Sequence, residues 1–112
     1  MRELDATSFD DAVAGDPLVV DFWAPWCRPC VALEPILAGL PVPVARLNVD
    51  DFPEIAARYD VLSIPTVSLF AGGERKGTLV GLRPRAHFDA WLAEVLPAGE
   101  LDRLAAQGER DA

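Results

Sequence analysis

The sequence predicts a mixed α/β domain, with a parallel sheet centre, an antiparallel edge hairpin and flanking helices. Three observations predict it. Near-continuous apolar runs rich in β-branched residues at 18–23 and 44–49 suit strands buried on both faces, as parallel sheets require. Helical patterns alternate with these runs. A later pair of strand-like segments, 67–70 and 76–80, is joined by the turn Ala71-Gly72-Gly73-Glu74 and reads as a hairpin.

Taken in order, Thr7-Ser8 caps a short helix that begins at Phe9 and carries Asp10 and Asp11 in its first turn. Gly15-Asp16-Pro17 ends it, and the first buried strand follows. A second helix is expected to begin near Cys27–Cys30 and to run through Leu33, Ile36 and Leu37. Pro35 lies inside it as a kink, and Pro41 and Pro43 stop it. Residues 53–59 read as a short helix with Asp50 and Asp51 near its positive end. Phe88, Trp91, Leu92, Val95 and Leu96 form one apolar face of the last clear helix, which Pro97-Ala98-Gly99 terminates. The polar remainder reads as a disordered tail, with Leu101, Leu104 and Ala105 hinting at one marginal extra helix that would serve a partner or a linked domain.

At 112 residues and 51% hydrophobic content, the chain has room for one core and not two. Ten basic against 18 acidic residues give a net charge of −8, so no basic stripe exists to bind nucleic acid or an anionic membrane. The balance suits a monomer. Two cysteines are too few for a disulfide-stapled secreted scaffold, and no apolar run approaches the ~20 residues of a bilayer span. The opening Met1-Arg2-Glu3-Leu4-Asp5 lacks the basic-then-apolar pattern of a secretory signal, so a cytoplasmic location is expected.

The candidate chemistry lies in Trp26-Cys27-Arg28-Pro29-Cys30, at the junction of a strand and a helix. The first turn of a helix favours negative charge, which lowers the pKa of the leading thiol. Cys27, at the exposed start, is expected to be the attacking thiolate and Cys30, one turn in, the shielded resolving thiol. Pro29 fits a helix start, where its missing N–H costs little. A structural zinc site needs four ligands, whereas the chain adds only His87 to the two cysteines, and His87 reads as a surface residue. Asp21, set between Val20 and Phe22 in an apolar strand, is expected to lose solvation and to titrate high enough to shuttle protons.

The stretch Phe22-Trp23-Ala24-Pro25-Trp26-Cys27-Arg28-Pro29-Cys30 closely resembles the active-site segment of thioredoxins. Further matches follow in family order across residues 9–96: Asp21, Pro35, Leu47-Asn48-Val49-Asp50, Ile64-Pro65-Thr66, Phe70, Gly73 and Gly81. The resemblance implies a thioredoxin fold over residues 1–96, followed by a polar tail at 97–112. It implies a protein-disulfide reductase with Cys27 attacking, Cys30 resolving and Asp21 as the buried carboxylate below them. Trp26, Pro29, Ile64 and Gly81 would form a shallow apolar docking rim, with Arg28, Pro65 and Thr66 also at the substrate. Pro65 would be the family's cis-proline. The dithiol would be the redox group, with no metal and no other cofactor. The implied partners are disulfide-bearing client proteins and a thioredoxin reductase that carries FAD and uses NADPH.

Several positions depart from the family pattern. Arg28 replaces a glycine and should stabilise the Cys27 thiolate, making the couple somewhat more oxidising. Val31 replaces a usually basic residue, the segment 36–44 is short, and the first strand at 2–4 looks weak and frayed. Arg46 stands in place of a lysine and is expected to hold Asp21 more ionised. Arg28 also favours an alternative reading as a disulfide oxidase or isomerase. The shortened helix and the tail favour a thioredoxin-fold binding or chaperone module.

Overall fold

The computed structural model describes residues 1–111, with side chains through Ala106. One sheet has the order β1-β3-β2-β4-β5, from β1 (Arg2–Leu4), β2 (Leu18–Trp23), β3 (Val44–Asn48), β4 (Thr66–Ala71) and β5 (Glu74–Val80). Strands β1 and β2 both run parallel to β3, whereas β4 runs antiparallel to β2 and to β5. The helices are α1 (Phe9–Ala14), α2 (Arg28–Ala38), α3 (Pro53–Arg58), α4 (Arg85–Val95) and α5 (Glu100–Asp111).

Side-chain alternation along the strands builds two cores. Val20, Phe22, Ala45, Leu47 and Phe70 pack with Phe9 and Val13 of α1 and Ile55 of α3. Val19, Val67 and Leu69 pack on the other face with Leu33 and Leu37 of α2 and Phe88, Trp91 and Leu92 of α4. Each of the fully buried phenylalanines 9, 22, 70 and 88 contributes about 2–3 kcal/mol of transfer free energy. Asp21 is the exception on the α2 side: its strand neighbours are apolar, yet it is only 1% exposed.

Three local expectations need correction. β1 is not frayed: Glu3 is in register with Arg46 and Leu4 with Leu47, and Leu4 is buried. Ser8 does not cap α1 through its side chain. Instead the Asp5 carboxylate accepts the Thr7 and Ser8 N–H groups, each at 2.9 Å, while the Ser8 hydroxyl accepts from the Asp5 N–H. The tail expected to be disordered carries α5, because Leu104 finds a place in the α2–α4 core with Leu101 packed beside it. Ala112 lies outside the described residues.

The β4–β5 hairpin turns at Gly72 and Gly73, whose φ angles of 60° and 82° are left-handed and suit glycine at both positions. Gly77 on β5 serves a different need: a Cβ there would lie 2.8 Å from Val95 Cγ1 and 3.1 Å from Trp91 Nε1, so α4 can lie flat on β5 only over a glycine.

Candidate active site

Strand β2 delivers the chain to Ala24-Pro25-Trp26, and Cys27 then caps α2. Its φ and ψ of −85° and 103° are extended, as a cap requires, and its sulfur accepts the Cys30 N–H at 3.2 Å. Pro29 lies in the first helical turn, where no N–H is missed. Cys27 and Cys30 are joined as a disulfide with their Cα atoms 5.2 Å apart. The sulfur of Cys27 therefore occupies the helix position where amides and macrodipole favour an anion, which is the physical basis for a reactive thiolate on reduction.

The exposed start expected at Cys27 is corrected here. Cys27 is 4% exposed and Cys30 2%, packed with Ala24 and against Trp23, Val49 and Ile64. The cover comes from the segment before β4. Ile64 C=O lies 3.9 Å from Cys27 Sγ, a contact rather than a hydrogen bond, since a disulfide sulfur carries no proton. The Ile64–Pro65 bond is cis. Thr66, itself buried, donates from its hydroxyl to Ser63 C=O at 2.6 Å, and the Gly81 N–H donates to Pro65 C=O at 2.9 Å. With a φ of 94°, Gly81 adopts a conformation that a Cβ would strain. The structure thus brings Ile64, Pro65, Thr66 and Gly81 to one loop cluster whose Ile64 touches Cys27.

Trp26 is 68% exposed, yet its ring is held: Nε1 donates to Asp50 Oδ2 at 2.6 Å. Asp50 is in turn fixed by donating its backbone N–H to Asn48 Oδ1 at 2.9 Å. Trp26, Val49, Val61, Leu62, Ser63 and Ile64 line a shallow depression of about 350 Å³ beside the cysteines. Asp50 and Leu62 were not among the residues predicted from sequence. The signal for Asp50 was present in Leu47-Asn48-Val49-Asp50, but nothing local tied it to Trp26. Arg28 and Pro29 are exposed beside Cys27.

Within the sheet, Asp21 sits opposite Arg46 in the β2–β3 register, and Glu3 sits opposite Arg46 across β1–β3. Burial pushes the Asp21 carboxyl up from 3.8 to about 7; Arg46 pulls it down, and Glu3 and Glu34 push it up further. Arg46 thus acts toward ionisation, as expected, while desolvation is the larger effect on Asp21. The guanidinium lies over the Trp23 ring, 3.4 Å from its centroid. Its Nε is 3.3 Å from Glu3 Oε1 and its other arm 3.4 Å from Glu34 Oε1. His87 is exposed on the first turn of α4. Among the described residues no group of three or more His, Cys, Asp or Glu side chains is arranged to hold a metal.

A family model described as Thioredoxin matches residues 1–94. A thioredoxin of Alicyclobacillus acidocaldarius subsp. acidocaldarius is 43% identical over 96 residues, covering 80% of this chain and 91% of that protein. A thioredoxin of Rickettsia bellii (strain RML369-C) is 42% identical over 93 residues, covering 76% of this chain and 89% of that protein. Thioredoxin M2, chloroplastic, of Arabidopsis thaliana is 40% identical over 90 residues, covering 75% of this chain and 48% of that protein. The chain belongs to the thioredoxin family and is a thiol–disulfide oxidoreductase of the protein-disulfide reductase kind.

Proposed function

We propose that Cys27 attacks client disulfides, that Cys30 resolves the mixed disulfide, and that Asp21 takes the Cys30 proton. The observation that carries this reading is the Cys27 sulfur capping α2 while bonded to Cys30. In the reduced protein the Cys27 thiolate bonds to one client sulfur and expels the other as a thiolate. Cys30 then loses its proton to Asp21 and attacks Cys27 Sγ. The Cys27–Cys30 bond forms, the Cys27–client bond breaks, and the client leaves with both electrons and takes up protons from solvent. The raised Asp21 pKa, about 7, lets that carboxylate accept and return a proton near neutrality.

Trp26, Pro29, Ile64 and Gly81 form the apolar rim that a client strand covers, with Arg28, Pro65 and Thr66 at its edge. Among the described residues, neither the N–H nor the C=O of Ile64 has a backbone partner, which supports pairing with an extended client segment. Arg46 tunes Asp21. The dithiol is the redox group, and a thioredoxin reductase carrying FAD and using NADPH returns it to the reduced state. The chain works as a cytoplasmic monomer, its redox domain spanning residues 1–96 and the segment 97–112 appended to it. No helix among the described residues is long and apolar enough to cross a membrane.

The test is equilibration of the Cys27–Cys30 couple against glutathione. A potential near about −270 mV supports reductase work, whereas one at about −180 to −120 mV favours oxidation or isomerisation, with Arg28 as its cause. The binding-module reading requires that Cys27→Ser with Cys30→Ser retains biological function; the reductase reading requires that it does not.

A further inference from the structure

We propose that Glu3 and Glu34 are positioning residues that hold the Arg46 guanidinium off Asp21, leaving the buried carboxyl without an ion-pair partner. The inference rests on the proton-acceptor role given to Asp21 above and extends it to two residues that no sequence motif singles out.

Arg46 and Asp21 are direct neighbours in the β2–β3 register, on the sheet face that α2 covers. An arginine one strand away from a buried carboxylate is expected to close a bidentate pair with it. It does not do so here. Among the described residues Arg46 forms ion pairs with Glu3 of β1 and Glu34 of α2 but none with Asp21. Asp21 Oδ1 is buried with no hydrogen-bond partner. The guanidinium is instead held over the ring of Trp23, two residues beyond Asp21 on the same face, with its side chain 12% exposed. Three elements therefore draw one cation outward: the edge strand and the active-site helix by charge, and β2 itself through the Trp23 ring.

The other groups around Asp21 cannot substitute for this arrangement. Its register neighbour on β4 is Val67, and α4 buries Phe88, Trp91 and Leu92 on this face. The charges acting on Asp21 are Arg46, Glu3 and Glu34. If Arg46 swung onto Asp21, the carboxylate would be held ionised and would lose its capacity to accept the Cys30 proton. Glu3 and Glu34 thus set the proton inventory of a site that they do not touch.

The experiment is a titration cycle on the full chain in its oxidised form. The Asp21 carboxyl is followed by carbon NMR in the wild type, in Glu3→Gln/Glu34→Gln, in Arg46→Met, and in the triple variant. Both glutamates are half exposed, and methionine retains a stem over Trp23, so the variants are expected to fold; circular dichroism checks this. With Arg46 present, removing the two carboxylates lowers the Asp21 midpoint by about one pH unit, a tenfold change in proton affinity. In the Arg46→Met background the same removal lowers it by less than half as much, because no cation is released. Equal falls in both backgrounds overturn the proposal, since the glutamates would then act only by their own charge at a distance. No fall in either background overturns it as well. The readout separates this from failure of the underlying reading. If Asp21→Asn leaves the pH profile of client reduction unchanged, the proton-acceptor role fails, whatever the titration cycle gives.

Discussion

Replacing Asp21 with asparagine should stabilise the protein, and by an amount that depends on pH. The folded state holds the Asp21 proton up to about pH 7, whereas the unfolded chain releases it near 3.8. Below 3.8 both states are protonated and no penalty exists. As pH rises from there, the unfolded state alone gains the favourable ionisation, and the folded state loses ground at about 1.4 kcal/mol per pH unit. Above about 7 both are ionised and the cost levels off at about 4 kcal/mol, a large fraction of a typical domain's stability. Asparagine does not titrate, so the difference between the two proteins isolates this one group, and any pH-independent cost of burying the amide adds a constant. The assay is guanidinium unfolding of the oxidised proteins from about pH 4 to pH 8. The advantage of Asp21→Asn should widen by about 3–4 kcal/mol across that range, with unchanged m-values. A difference that is flat with pH would refute the reasoning, because it would mean that Asp21 titrates alike in both states.

Other substitutions test the frame and the site separately. Gly77→Ala should cost about 1–3 kcal/mol in thermal or denaturant unfolding, since the new Cβ meets Val95 and Trp91 at 2.8 and 3.1 Å and α4 must shift to admit it. Leu104→Ala should cost about 2 kcal/mol or more, because the side chain is 3% exposed in the α2–α4 core; a loss within about 0.5 kcal/mol would show that α5 contributes no packing. Arg28→Gly should make the couple more reducing by no more than about 20 mV, as expected for an exposed charge beside the thiolate. Trp26→Phe removes the hydrogen bond to Asp50, and reduction of a protein disulfide should slow several-fold more than reduction of a small disulfide; equal slowing would argue against the ring as a docking element.

What could be read in advance and what could not divide by the range of the interactions. β2, β3 and the hairpin declared themselves because a buried strand writes its burial into consecutive residues, and Gly72-Gly73 writes the turn. Cys27 and Cys30 declared themselves because their chemistry depends on a spacing of one helical turn. The edge strand β1 did not, since three residues carry no period, and its pairing depends on Arg46 and Leu47 far along the chain. The Arg46 cluster was hidden for the same reason: Glu3, Glu34 and Trp23 come from three elements, and each looks like an ordinary surface or core residue in its own neighbourhood. In α5 the apolar positions Leu101, Leu104 and Ala105 were visible, but periodicity cannot say whether a vacant core face waits for them.

The sheet order has a consequence for what a fragment of this protein can do. Strand β2 lies between a parallel neighbour, β3, and an antiparallel one, β4, and the β2–β4 register joins Leu18 to Phe70 and Phe22 to Thr66. Cys27 and Cys30 therefore belong to the first half of the chain, while the Ile64 contact that covers Cys27 arrives with the second. A peptide ending before Ser63 would carry both thiols and three of the five strands, yet it would lack the Ile64 cover over Cys27. Selective thiol reactivity in this chain is a long-range property, and a refolding mixture would gain it only when the two halves have met. Adding the missing half as a separate peptide offers a route to switching the dithiol on by complementation.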